Sequence, residues 1–216
     1  MINMFHKYRS ELLLFGVIAQ IVASPLADSR PRIGGILAIS TLAMLLIGVS
    51  YIVNSRMIRI AGLFTATMWL IARALEALGN SHSIYSHLAP LAGLGLSSII
   101  LWAMIARFRS SHLVTRNLIA EAFITYLVIA IAFSQLYWIF DHVFDHAFNQ
   151  TIAPNQTSAL LYFSMITLSS VGYGGIAPVN PYVRFVAALE SMTGIFYLAV
   201  VVARMVSSYR PRHAVN

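Results

Sequence analysis

The sequence predicts an all-α integral membrane protein with six transmembrane helices and one re-entrant helix, and three observations carry that prediction. Of 216 residues, 59% are hydrophobic and only 10% charged, whereas an ordinary soluble domain is about 45–50% apolar and about 25% charged. Six apolar segments approach the roughly 20 residues that a helix needs to cross about 30 Å of hydrocarbon. A seventh, Ser158–Leu168, has about half that length, which suits a segment that enters the membrane and turns back. A soluble enzyme of this composition would lack the polar surface to cover itself.

The expected spans are Glu11–Ala27, Ile33–Val53, Met57–Leu78, Ile84–Ala106, Leu118–Phe140 and Tyr182–Val206. The first also has a signal-peptide pattern: Lys7 and Arg9, an apolar run, then small residues from Ala23 to Asp28. It is expected to be a retained helix. Asp28–Pro31, Asn54-Ser55 and Gly79–His82 read as short turns. Lys and Arg cluster at the ends that share a side with the N-terminus (Lys7, Arg9, Arg56, Arg59, Arg107, Arg109, Arg116, Arg204, Arg210, Arg212), against Arg30, Arg32 and Arg184 opposite. Positive residues mark the cytoplasmic side, so both termini are expected there. The net charge of +7 is thus read as a topology signal rather than a nucleic-acid footprint. Absence of Cys excludes disulfides and thiolate metal sites. Two units are expected: a four-helix transmembrane bundle over 1–112, and over 113–216 a pair of spans flanking a long insertion.

The insertion carries the chemistry. Its short helix is expected from Thr157 or Ser158 to Leu168, with Asn155 or Thr157 as N-cap. Ser169-Ser170-Val171-Gly172-Tyr173-Gly174-Gly175 follows, then Ala177-Pro178. Three glycines in four residues and a proline do not continue a helix. Non-helical backbone at membrane depth is tolerated only when buried in protein or lining a water-filled cavity. This segment is therefore expected to line an aqueous path.

Thr167-Leu-Ser-Ser-Val-Gly-Tyr-Gly174 resembles the potassium-channel signature T-x-T-T-V-G-Y-G-D, and the resemblance spans Asn117 to Val206. Tyr162-Phe163-Ser164, Pro178 and Gly194 fall at matching places. The resemblance implies a homotetramer in a bacterial cell (inner) membrane, with lipid as its other partner, no cofactor, and K+ as the permeant ion. It makes 113–216 a pore domain of outer helix, pore helix, filter and inner helix. Peptide carbonyls of Ser170, Val171, Gly172, Tyr173 and Gly174 would replace the ion's hydration oxygens. Pointing them all inward needs alternating left- and right-handed dihedrals, which Gly172 and Gly174 permit. Val171 and Tyr173 would then brace the strand against the short helix, and the Ser170 hydroxyl would add a ligand. Tyr162, Thr167, Ser169 and Gly175 would support the filter. Gly194 is a candidate gating hinge, or a site of close helix packing.

Three departures from the signature modify these expectations. Gly175 stands where Asp is common, and Tyr162 and Ile166 supply no acidic partner on the short helix, so the filter is expected to be less firmly braced. Ser169-Ser170 replace two threonines, keeping the hydroxyls without the methyls; selectivity over Na+ is still expected. The fourth span carries Arg107 and Arg109 only at its inner end, whereas steep voltage gating takes about 3–4 charges per subunit. Weak or absent voltage dependence follows. A poorly selective monovalent cation channel and a non-conducting membrane scaffold are the alternatives.

Other polar residues have structural readings. Arg73 and Glu76, three apart on one helix face, can neutralise each other. Glu190, mid-span, is expected to bond behind the short helix rather than face a cavity. Asp141, His142, Asp145 and His146 would lie on adjacent helix stripes as a solvated, cation-concentrating cluster. Zinc needs three or four ligands, so no transition metal is favoured. Neither catalysis nor nucleic-acid binding is expected.

Overall fold

The computed structural model describes residues 2–29, 56–77, 83–110, 116–153 and 157–207. The expected second span, Ile33–Val53, lies outside these residues, as do the side chains of Arg73 and Glu76. Six helices occur among the described residues: α1 (Ile2–Ser29), α2 (Arg56–Ala77), α3 (Ser83–Ser110), α4 (Arg116–Val143), α5 (Thr157–Leu168) and α6 (Pro181–Ser207). Three contain stretches long and apolar enough to cross a membrane: Leu88–Ala106, Asn117–Val143 and Pro181–Ser207. The apolar runs of α1 and α2 are shorter, Leu13–Leu26 and Ile60–Ala72. Helix α5, with 12 residues, rises only about 18 Å and cannot span.

α4 is the hub, packing against α1, α3, α5 and α6, while α2 packs on α3. Ala66, Leu96, Ile100, Ala103, Ile124 and Val128 interlock α2, α3 and α4. At the other end of α4, Tyr137, Phe148 and Phe163 meet edge-on, with ring centroids 4.9–6.0 Å apart, an arrangement that suits the aromatic quadrupole.

α1 continues through Pro25. Proline lacks the amide that would bond the carbonyl four residues back. Ser24 supplies a substitute donor, its hydroxyl lying 2.8 Å from the Ile21 carbonyl. Two polar contacts tie α1 alongside α4 and α5. Ser10 donates to Glu121 near the start of α4 at 3.2 Å, and Asp28 accepts from the Ser158 amide in the first turn of α5 at 2.9 Å.

α4 ends at Val143, and His146 takes a left-handed φ of 55°. The helical stripes expected to pair Asp141 with Asp145 and His142 with His146 therefore do not form, because the helix stops short of the second pair. His142 instead stacks on Trp138, centroids 3.5 Å apart. No group of three metal-ligating side chains occurs among the described residues.

Candidate functional site

The stretch 169–175 begins where α5 stops. The Ser170 amide bonds the Thr167 carbonyl at 2.9 Å, and the Val171 amide bonds the Ile166 carbonyl at 2.9 Å. Ser170 between them has φ 58°. These nested bonds around a left-handed residue form the Schellman motif that closes many helices. A second amide, from Gly172, shares the Ile166 carbonyl at 3.1 Å. The chain then leaves the helix extended, with positive φ at Gly172 (56°), Gly174 (86°) and Gly175 (85°) but not at Val171 or Tyr173. Left-handed backbone thus recurs at 170, 172 and 174, every second residue. Residues 169–175 are all exposed in the single chain.

Val171 and Tyr173, expected to brace the strand against the short helix, are largely uncovered in the single chain. Tyr173 is 79% exposed and Val171 50%. Tyr162 is likewise 45% exposed, and the Ser169 hydroxyl turns back to the Met165 carbonyl at 2.7 Å. The Ser170 hydroxyl lies 2.9 Å from that of Ser191 on α6, a partner that local sequence pattern does not signal.

Behind α5, Glu190 is fully buried and joins three helices. It accepts the Tyr137 hydroxyl of α4 at 2.6 Å and bonds Ser164 of α5. Ser164 also lies 2.7 Å from the Ala130 carbonyl. A carboxyl placed in apolar surroundings needs such partners. Gly194 lies one helical turn further along α6, and a Cβ there would sit 1.9 Å from the Leu168 carbonyl oxygen. The backbone of α5 at its last residue therefore rests directly on α6. Tyr126 fixes the same carbonyl from α4, donating at 3.1 Å.

Sequence reasoning missed Asn149. Its side-chain NH2 donates to the Gly175 carbonyl at 2.8 Å, its side-chain oxygen accepts the Ala177 amide at 2.9 Å, and its own amide bonds the Ala177 carbonyl at 2.9 Å. It also missed Asp28, which sits at the positive end of α5. No local periodicity reports either pairing.

A family model described as "ion channel" matches residues 119–210, which take in nearly all of α4, α5, the 169–175 stretch and α6. Over 137 residues the chain is also 31% identical to Protein LctB of Bacillus caldotenax, covering 59% of this chain and 98% of that one. The chain belongs to the ion channel family. This ion channel is a membrane protein and not an enzyme. Its matched region places the glycine-rich stretch between Asn117–Val143 and Pro181–Ser207, two of the three helical stretches long and apolar enough to cross a membrane.

Proposed function

We propose that this ion channel is potassium-selective, homotetrameric and built from six spans per subunit, conducting K+ passively past the carbonyls of Ser170, Val171, Gly172, Tyr173 and Gly174. The supporting observation is the positive φ at every second residue from 170 to 174, directly beyond the C-terminus of a helix too short to span. Such alternation turns successive carbonyls to one side, where oxygens can replace the hydration shell of a monovalent cation. The C-terminal end of α5 adds partial negative charge where the strand begins.

One strand cannot surround an ion. The exposure of Tyr173 at 79% and of Phe185 and Phe196 on α6 at 76% and 64% supports further copies of the chain packed around a common axis. Six spans are supported by α1. Its Ser10 meets α4 near Glu121 and its Asp28 meets the start of α5, so it runs the length of a span-length helix. Arg107 and Arg109 at the end of α3 support weak voltage dependence. One observation favours a less selective cation pore: the Ser170 hydroxyl is engaged by Ser191.

The test is flux into liposomes holding the purified protein, with K+ and Na+ compared and Ba2+ added as a blocker, and cross-linking to count subunits. Selective, Ba2+-sensitive K+ uptake by a four-subunit particle is expected. Equal Na+ and K+ fluxes would leave the less selective pore, and no flux of either would remove the conduction reading.

A further inference from the structure

We propose that Asn149 is a positioning residue that holds the outer end of the filter, Gly174 and Gly175, in its conducting geometry; the proposal rests on the channel reading above. The inner end is secured by the Val171 and Gly172 amides on Ile166. Among the described residues, the backbones of Tyr173 and Gly174 make no further hydrogen bond to the backbone. The next fastening along the chain is Asn149. Gly174 and Gly175 both have positive φ, and nothing lies within 4 Å of where a Cβ would stand on either. Two adjacent glycines leave the backbone permissive, so the bond at Gly175 is what this chain supplies to fix the outer carbonyls.

The bonding leaves no ambiguity over which way the Asn149 amide points. The Gly175 carbonyl can only accept and the Ala177 amide can only donate, so oxygen and nitrogen are assigned by their partners. The amide matches a donor–acceptor pair that no carboxylate matches, because an ionised carboxylate only accepts. Asn149 is itself anchored. Val179 bonds the Ala147 carbonyl at 3.0 Å, Phe148 pairs with Pro178, and Ala147 and Phe148 are buried at 1% and 4% exposure. The outer end of the filter is thereby tied to the aromatic cluster of α4 and α5. This brace stands where the sequence, with Gly175 in place of an acidic residue, offers none.

Asn149→Ala and Asn149→Asp in the full chain test the proposal. Sustained K+ currents in planar bilayers should decay roughly tenfold faster in both variants, since a tenfold change equals about 1.4 kcal/mol, the net size of one to two hydrogen bonds. Elution volume in detergent should not change, and melting temperature should fall by no more than a few degrees. Asn149→Asp distinguishes bonding from bulk: as outer pH falls through about 4, its carboxyl gains a proton and regains one donor. Its decay should then slow toward wild type, whereas Asn149→Ala stays fast; wild type run in parallel subtracts any effect of pH on the rest of the protein. Decay at the wild-type rate in Asn149→Asp at neutral pH overturns the proposal. Amide exchange at Ala177 gives a readout independent of conduction. Faster exchange in Asn149→Ala supports the brace, and unchanged exchange overturns it. A wild type that carries no K+ overturns the channel reading instead, and the brace is then decided by exchange alone.

Discussion

Replacing Gly194 by alanine separates two roles for this residue by the sign of a stability change. A Cβ at 194 would lie 1.9 Å from the Leu168 oxygen and 2.8 Å from its carbon. Restoring a carbon–oxygen contact of about 3.3 Å requires the end of α5 to retreat by roughly 1.4 Å. The obstacle is backbone, so no rotamer change relieves it. Overpacking of this kind costs about 1–3 kcal/mol. The same shift moves the oxygen that accepts the Tyr126 hydroxyl at 3.1 Å, so that bond must readjust as well. Leu168 is two residues from Ser170, so the displacement reaches the start of the proposed filter. A residue that acts only as a hinge behaves otherwise: alanine raises helix propensity by up to about 1 kcal/mol, stiffening α6 and leaving α5 in place. The expected outcome is a lower melting temperature in detergent together with a reduced K+/Na+ flux ratio in liposomes. A variant as stable as wild type, with an unchanged ratio, would refute the packing argument.

Three further outcomes follow from other contacts. Asp28→Ala should cost about 0.5–2 kcal/mol, the usual worth of an N-terminal cap, and should speed amide exchange at Ser158; Asp28→Asn, which retains an acceptor, should lose less. Glu190→Leu strands the Tyr137 hydroxyl at roughly 1–3 kcal/mol and leaves the Ser164 hydroxyl with the Ala130 carbonyl alone. Adding Tyr137→Phe and Ser164→Ala should return part of that loss in thermal melts, and a triple variant no more stable than the single one would count against the network. Conductance should change little with voltage, because each charge crossing the field contributes only about 2.3 kcal/mol per 100 mV and α3 carries arginines at 107 and 109 alone; a steep conductance–voltage curve in symmetric K+ would contradict this.

Local signals were legible in the sequence to within a few residues. Helix α5 runs Thr157–Leu168, as the cap residues and the glycines that follow Leu168 indicate. The positive φ at Gly172 and Gly174 follows from the same run of glycines. Pairings across the fold were not legible. Asp28 reaches Ser158 across 130 residues, and Asn149 reaches Gly175 across 26; neither leaves a periodic trace. Gly194 shows the intermediate case, where composition announces a small residue and only the placement of Leu168 says what the smallness admits. The Asp141–His146 pattern misled because its i,i+4 spacing has meaning only on a helix, and the helix ends at Val143.

Ser170 shows where function, rather than stability, accounts for the residue. It occupies the left-handed position that closes α5, with φ 58°, a place where glycine is the usual choice. A side chain there costs roughly 1–2 kcal/mol, and burial repays none of it, since Ser170 is exposed. The hydroxyl is what glycine would lack. It meets Ser191 at 2.9 Å, which links the first residue of the proposed filter to α6 at the position next to Glu190. Glu190 in turn bonds α5 through Ser164. The segment from Ser164 to Ser170 is thus bonded to α6 twice, by a hydroxyl pair at Ser170 and a buried carboxyl at Ser164. In the proposed filter, the first residue is bonded to α6 through Ser191, whereas the outer end is bonded to Asn149 on a separate loop. The two ends of one short strand are held by different parts of the protein, and a perturbation at either end should be felt there first.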